Sequence, residues 1–188
     1  RVPQQAVHGT PFTVHGVRWH LIGHLQSNKA KDAVELFDVI HSVDSLDLIS
    51  ELERHAVKRA TGFKLHAPGQ SPGKLIEVLI QVNVSGESTK FGCRPEEAAS
   101  LAQAVLRVPH LRLSGFMTIA PLTDDPVLAR PSFRHLRHLR DEIAAACSLQ
   151  PAALKLSMGM SQDFEVAVEE GADYVRIGTA LFGERTIP

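Results

Sequence analysis

A chain of 188 residues with 44% hydrophobic and 22% charged residues has the composition of one globular domain, long enough to bury a substantial core. Its formal net charge of -1 gives no electrostatic basis for nucleic acid or an acidic membrane surface as the main partner, and no apolar run approaches the ~20 residues of a membrane span. Two cysteines, Cys93 and Cys147, fall short of a disulfide framework, and the opening Arg1-Val-Pro-Gln-Gln has no signal-peptide core, so the expected compartment is the cytoplasm.

Residues 1–16 hold Pro3, Gly9, Pro11 and Gly16 without periodicity and read as an irregular lead-in to one domain over 17–188. A strand is predicted over 17–23, then a helix from about Ser27 with Ala30, Ala33, Val34 and Phe37 on one face. A second strand covers 38–43, and Asp44 is placed to cap a helix burying Leu48, Ile49, Leu52 and Ala56. Residues 61–74, with three glycines and two prolines, form a loop at the N-terminal end of the strands, where no function is expected. The longest apolar run, 75–84, has the near-continuous pattern of a parallel strand covered on both faces. A polar loop over 85–94 leads to a helix opened by Pro95, with Ala98, Leu101, Ala102 and Val105 inward. The fourth strand spans 111–119. A loop with Asp124, Asp125 and Pro126 precedes a helix from about Pro131 that buries Leu136, Leu139, Ile143 and Cys147. A fifth strand (154–158), a helix (162–170, with Phe164, Ala167 and Val168 inward and Gly171 as C-cap) and a sixth strand (174–177) complete the series.

Strands alternating with helices, without a hairpin signal, predict a parallel sheet with right-handed crossovers, either doubly wound or a (β/α) barrel. The last two strands each end in a glycine beside a hydroxyl residue. In Leu154-Lys-Leu-Ser-Met-Gly-Met-Ser161 these are Gly159 with Ser157 and Ser161; in Asp173-Tyr-Val-Arg-Ile-Gly-Thr179 they are Gly178 with Thr179. Unpaired N–H groups at a helix start attract an anion, glycine permits close approach, and Ser161 and Thr179 suit N-caps. Arg176 would point into the same space. Either turn alone reads as an ordinary strand-to-helix connection; as a consecutive pair closing a βα series they read as a phosphate site, which favours a barrel. A full barrel has eight strands and about 250 residues, whereas about six βα units are represented here.

Five blocks then carry a resemblance: Trp19-His-Leu-Ile-Gly-His-Leu-Gln-Ser-Asn-Lys29, Ile80-Gln-Val-Asn-Val-Ser-Gly-Glu-Ser-Thr-Lys-Phe-Gly92, Gly115-Phe-Met-Thr-Ile119, Leu156-Ser-Met-Gly-Met-Ser-Gln-Asp163 and Val175-Arg-Ile-Gly-Thr-Ala-Leu-Phe-Gly183. In this order they resemble the YggS/PROSC family, the pyridoxal phosphate homeostasis proteins. The resemblance implies an α/β fold of the (β/α)8 TIM-barrel type, like the N-terminal domain of alanine racemase, with pyridoxal 5'-phosphate (PLP) as cofactor. It implies that Ser161, Gly178, Thr179 and the backbone of Met160 hold the phosphate, with Arg176 beside the pyridine nitrogen. It further implies a role in PLP and amino-acid homeostasis without a defined turnover, apo PLP enzymes as recipients, and a monomer for a complete barrel.

The chain departs from the family in one respect. The Schiff-base lysine of the family lies on the first barrel strand and an Asn near the cofactor follows the second; neither motif occurs here, and 1–16 contain no lysine. Two βα units are thus expected to be missing from these residues. Lys90, in a loop after a strand, is the best-placed substitute, although a solvated loop charge is the plainer account. His20/His24 and His135/His138 are close pairs without a cysteine or carboxylate cluster to make a metal site. Arg134, Arg137 and Arg140 read as a solvated helix face. Two enzymatic alternatives remain. A racemase-type reaction would need a base on the opposite ring face, for which the chain offers one tyrosine, Tyr174; a barrel enzyme would use the phosphate site for another phosphorylated small molecule, but no matched carboxylate pair supports it.

Overall fold

The computed structural model describes residues 17–61, 75–87, 89–121, 123 and 125–183. The expected lead-in at 1–16, residues 62–74 of the expected loop and Asp124 lie outside them. Six strands alternate with helices: β1 (His20–Leu21), α1 (Ala30–Leu36), β2 (Val39–Val43), α2 (Leu46–Thr61), β3 (Ile76–Gln81), α3 (Pro95–Arg107), β4 (Leu111–Met117), α4 (Arg130–Ala146), β5 (Lys155–Met160), α5 (Phe164–Glu169), β6 (Tyr174–Arg176) and α6 (Thr179–Phe182).

Neighbouring strands are all parallel and lie in chain order from β1 to β6. A doubly wound sheet reverses its strand order midway; an unreversed order with right-handed crossovers brings every helix back on one face, as in a (β/α) barrel. Strand spacing of about 4.8 Å would put β1 and β6 roughly 24 Å apart in a flat sheet. Instead, the rings of His20 and Tyr174, on those two strands, stand 5.3 Å apart edge to face. The sheet is therefore curled into an arc of barrel, with β1 and β6 as its edges among the described residues.

Period-two alternation sorts the side chains, apart from a shift of register between Ile40 and Val43 of β2. Ile40, Val43, Ile76, Val78, Ile80, Phe116, Leu156 and Met158 join the helices in the main core, while Val39, Leu79 and Met117 form a small apolar plug on the inner face, against which Tyr174 packs. On the same inner face Glu77 is bound by Arg18, Arg112 and Ser114. Burial pushes the Glu77 carboxyl up, but the two arginines outweigh it and hold the group below the usual carboxylate range.

One glycine sets the register. Val78 pairs with Leu113, but Leu79 pairs with Gly115, so β4 carries one extra residue at this point. Gly115 has φ +151, and a Cβ there would overlap the backbone carbonyl of Lys155 on β5. The strands can come together here only because residue 115 has no side chain.

Several local expectations change. β1 is two residues long, His20 and Leu21 pairing with Val39 and Ile40 of β2. Ser45, not Asp44, caps α2: its hydroxyl accepts from the Leu48 N–H at 3.3 Å. In α4, Phe133, Leu136, Ile143 and Ala144 are buried, with Leu139 and Cys147 packed at the margin of the core. In α5 the inward residues are Val166 and Ala167, while Val168 is 56% exposed and Phe164 half-buried. Ala167 seats directly over Gly159, whose missing Cβ would lie 2.5 Å from the Ala167 Cβ, and this contact sets which face of the helix turns in. Gly171, at φ +92, ends α5 as expected, with the Ala172 N–H donating to the Ala167 carbonyl at 2.9 Å. The arginine row is partly solvated but also tied down: Arg130, Arg134 and Arg137 all bind Glu170, which is 3% exposed, and Arg140 pairs with Asp141. This cluster ties α4 to the end of α5.

Candidate functional site

The C-terminal ends of the strands open on a cavity of about 1800 Å3 whose wall includes His20, Lys90, Ser161, Arg176, Gly178 and Thr179. Residues from β1 and β6, far apart in sequence, meet there because the sheet curls.

After β5 the chain does not enter a helix at Ser161. Met160 donates its N–H to the Asp163 carboxylate at 2.6 Å and accepts from the Asp163 N–H at 3.1 Å, closing a turn, and α5 begins at Phe164 with Asp163 in the N-cap position. Ser161 is therefore not an N-cap. Its hydroxyl oxygen instead crosses to the next turn and accepts from the N–H groups of Gly178 at 3.2 Å and Ala180 at 3.3 Å. Thr179 is the first residue of α6, and Gly178 holds the N-cap position expected for Thr179. The two turns are thus joined by one hydroxyl on which two amide donors converge. Met160 contributes an exposed wall, its own N–H being already bound to Asp163. Gly159 gives close approach to α5 rather than to the cavity, whereas a Cβ at Gly178 would meet nothing within 4 Å.

Behind these turns runs a buried chain of polar groups. Arg176 Nη1 donates to the Ser157 carbonyl at 3.1 Å and the Ser157 hydroxyl at 2.9 Å, and Nη2 donates to the Thr118 carbonyl at 2.8 Å. Ser157 Oγ also lies 2.9 Å from His41 Nδ1, and His41 Nε2 lies 2.8 Å from His20 Nδ1. Ser157 is fully buried, so it stands one step behind the cavity surface. Burial pulls the Arg176 guanidinium down to about 10, against a smaller opposing pull from Asp163; it remains cationic at neutral pH.

Burial, then the charges of His20 and Arg176, push His41 down to about 3. Burial and Arg18 lower His20 as well, against Glu77 and Asp38. A histidine whose folded pKa is depressed stays neutral in the fold but takes a proton in the unfolded chain below about 6.5. Stability is therefore complete above that value and declines as the pH falls toward the folded value. At 1.36 kcal/mol per unit, His41 alone removes about 2–3 kcal/mol by pH 4.5. Thermal melts at pH 7.5, 5.5 and 4.5 should show this loss in the wild type and a flatter limb in His41→Asn; parallel curves would exclude His41 as its source.

Lys90, the best placed of the lysines, lines the cavity, and its Nζ pairs with Glu87 at 2.8 Å. His24 is turned away from His20, stacked on Phe91 with ring centroids 3.8 Å apart and its Nδ1 3.8 Å from Asp44. His135 and His138 are exposed on α4. Among the described residues no three His, Cys, Asp or Glu side chains converge on a metal position, and no helix is long and apolar enough to cross a membrane. Burial pushes the Cys93 thiol up to about 12, which leaves it inert.

A family model described as alanine racemase, N-terminal domain, matches residues 13–186. The chain is 44% identical over 169 residues to the pyridoxal phosphate homeostasis protein of Aquifex aeolicus, covering 90% of this chain and 68% of that protein. It is 41% identical over 171 residues to the protein of the same name from Pseudomonas aeruginosa, covering 90% and 65%. Among solved structures, PipY of Synechococcus elongatus with PLP bound superposes with a TM-score of 0.70 at 33% identity, over 89% of this chain and 71% of that one. The chain thus spans about two thirds of the length of these curated relatives.

Proposed function

From a chain that belongs to the alanine racemase N-terminal domain family, and within it to the pyridoxal phosphate homeostasis proteins, we infer that the cavity binds PLP and that the protein acts in PLP and amino-acid homeostasis without turning over a substrate. The observation that carries this is the convergence of the Gly178 and Ala180 N–H groups on the Ser161 hydroxyl at the cavity wall. With its oxygen accepting from both N–H groups, the Ser161 hydroxyl has its own proton left to donate, and with the Thr179 hydroxyl beside it this suits a phosphate dianion. Ser161, Gly178 and Thr179 would hold the phosphate, and Met160 would wall it. Ser157 would act from behind the wall by holding Arg176.

When bound, PLP supplies a reactive carbonyl and an electron-withdrawing ring. Arg176 would lie at the ring nitrogen, where a cation that cannot release its proton leaves that nitrogen unprotonated and weakens the electron sink. That suits a carrier. Apo PLP enzymes of the cytoplasm are the proposed recipients. Tyr174, the one tyrosine, lines the cavity with its ring edge to face against those of His20 and His41, on the same sheet as Arg176, whereas a racemase base would have to stand on the opposite face of the cofactor ring.

The test is a thermal melt with PLP, followed by borohydride reduction and intact mass. PLP at about 100 times its Kd should add roughly 2.7 kcal/mol of stability, the mass should remain 20.5 kDa, and amino-acid turnover should not exceed that of PLP alone. An adduct would be mapped first to Lys90. Protection by a sugar phosphate but not by PLP would overturn the reading in favour of another phosphorylated ligand.

A further inference from the structure

The buried chain behind Arg176 has a direction. A guanidinium only donates, so Arg176 Nη1 occupies a lone pair of the Ser157 hydroxyl. That hydroxyl is fully buried, and its remaining partner among the described residues is His41 Nδ1 at 2.9 Å. The Ser157 O–H accordingly donates to His41 Nδ1, which places the His41 proton on Nε2, from which it is donated to His20 Nδ1. Every bond then runs outward from Arg176 to His20, and no buried donor or acceptor along the path is left unmet. A proton on both His41 nitrogens would reverse the Ser157 bond and set a second cation against Arg176.

We propose that His41 is a positioning residue for the ring end of the cofactor: by accepting the Ser157 O–H, it fixes the oxygen that pins the Arg176 guanidinium. The proposal rests on the reading that the cavity binds PLP with Arg176 at the ring. Ser157 holds Nη1 through two oxygens and Thr118 holds Nη2, so the plane of the guanidinium is set before any ligand arrives. Removing the acceptor at His41 frees the Ser157 hydroxyl to rotate, and Arg176 loses one of its three anchors. Burial that pulls His41 down to about 3 agrees with the neutral, accepting form this arrangement needs.

The test compares wild type, His41→Leu and His41→Asn, whose side-chain oxygen can stand where Nδ1 stands. Nitrogen-15 NMR of the arginine side chains reads the anchor without any cofactor. Arg176 should give separate, slowly exchanging Nη–H signals in wild type and His41→Asn and averaged signals in His41→Leu. In PLP titrations His41→Leu should bind about tenfold more weakly, with His41→Asn within about twofold of wild type. Inorganic phosphate, which needs only the turns, should bind all three alike. Unchanged Arg176 signals in His41→Leu, or PLP and phosphate weakened together, would overturn the proposal. If His41→Leu does not fold, Ser157→Ala removes the same link and should give the same signature. If wild type binds no PLP, the cofactor reading fails by itself, and the Arg176 signals still decide the role of His41.

Discussion

Replacing Gly115 by alanine should cost about 2–6 kcal/mol, a large share of the ~5–15 kcal/mol that holds an ordinary domain folded. Two terms add. Residue 115 sits at φ +151, where an L side chain is strained by about 1–3 kcal/mol. Its new methyl would also overlap the backbone carbonyl, carbon and nitrogen of Lys155, and backbone cannot rotate aside as a side chain can; overpacking of this kind costs a further ~1–3 kcal/mol. The separation needed would fall between β4 and β5, so the damage would reach Ser157 and Ser161, which β5 and its following turn carry. Urea unfolding followed by circular dichroism measures it, with Gly171→Ala as reference. That glycine also has positive φ but nothing within 4 Å of its missing Cβ, so its substitution should cost about 1 kcal/mol. Equal costs at the two positions would show that conformation alone matters and that β4 and β5 do not need the gap.

The strands and helices were legible because each buries a continuous apolar stripe, and a stripe is a local property of the sequence. The order of the strands followed from their alternation with helices and the absence of hairpins. What was not legible is what depends on register. His20, His41, Ser157 and Arg176 are separated by 21, 116 and 19 residues along the chain, and they touch only because each falls on an inner position at the same level of a curled sheet. A signal was present: His41 interrupts an apolar strand, and a polar residue at an inner position needs a partner there. The phosphate-type turns were found by their glycines and hydroxyls, but their wiring was not. Asp163 takes the Met160 N–H, so the hydroxyl of Ser161 is released from capping its own helix and reaches the next turn. Capping preferences describe one helix end at a time and contain no such exchange between turns. The arginine row on α4 was illegible in the same way, because its partner Glu170 turns inward at the end of another helix.

That exchange between turns gives the sharpest test of the site. Ser161→Asp should leave the fold intact and weaken PLP binding on the order of a thousandfold. A carboxylate at position 161 can accept from the same Gly178 and Ala180 N–H groups that the hydroxyl now binds at 3.2 and 3.3 Å, and charge-assisted bonds of this kind are stronger than neutral ones. The melting temperature without cofactor should therefore hold or rise slightly. An incoming phosphate would meet a fixed negative charge in place of a donor. Unit charges 4 Å apart at an effective dielectric of about 20 repel by about 4 kcal/mol, so affinity should fall on the order of a thousandfold. Ser161→Ala removes only a hydroxyl and should weaken binding about tenfold. Pyridoxal, which has the ring and carbonyl but no phosphate, separates charge from shape: its weak binding should be the same in wild type and Ser161→Asp. If PLP bound the Asp variant as tightly as wild type, the phosphate would have to sit away from Ser161, and the meeting of the two turns would be a structural tie and nothing more.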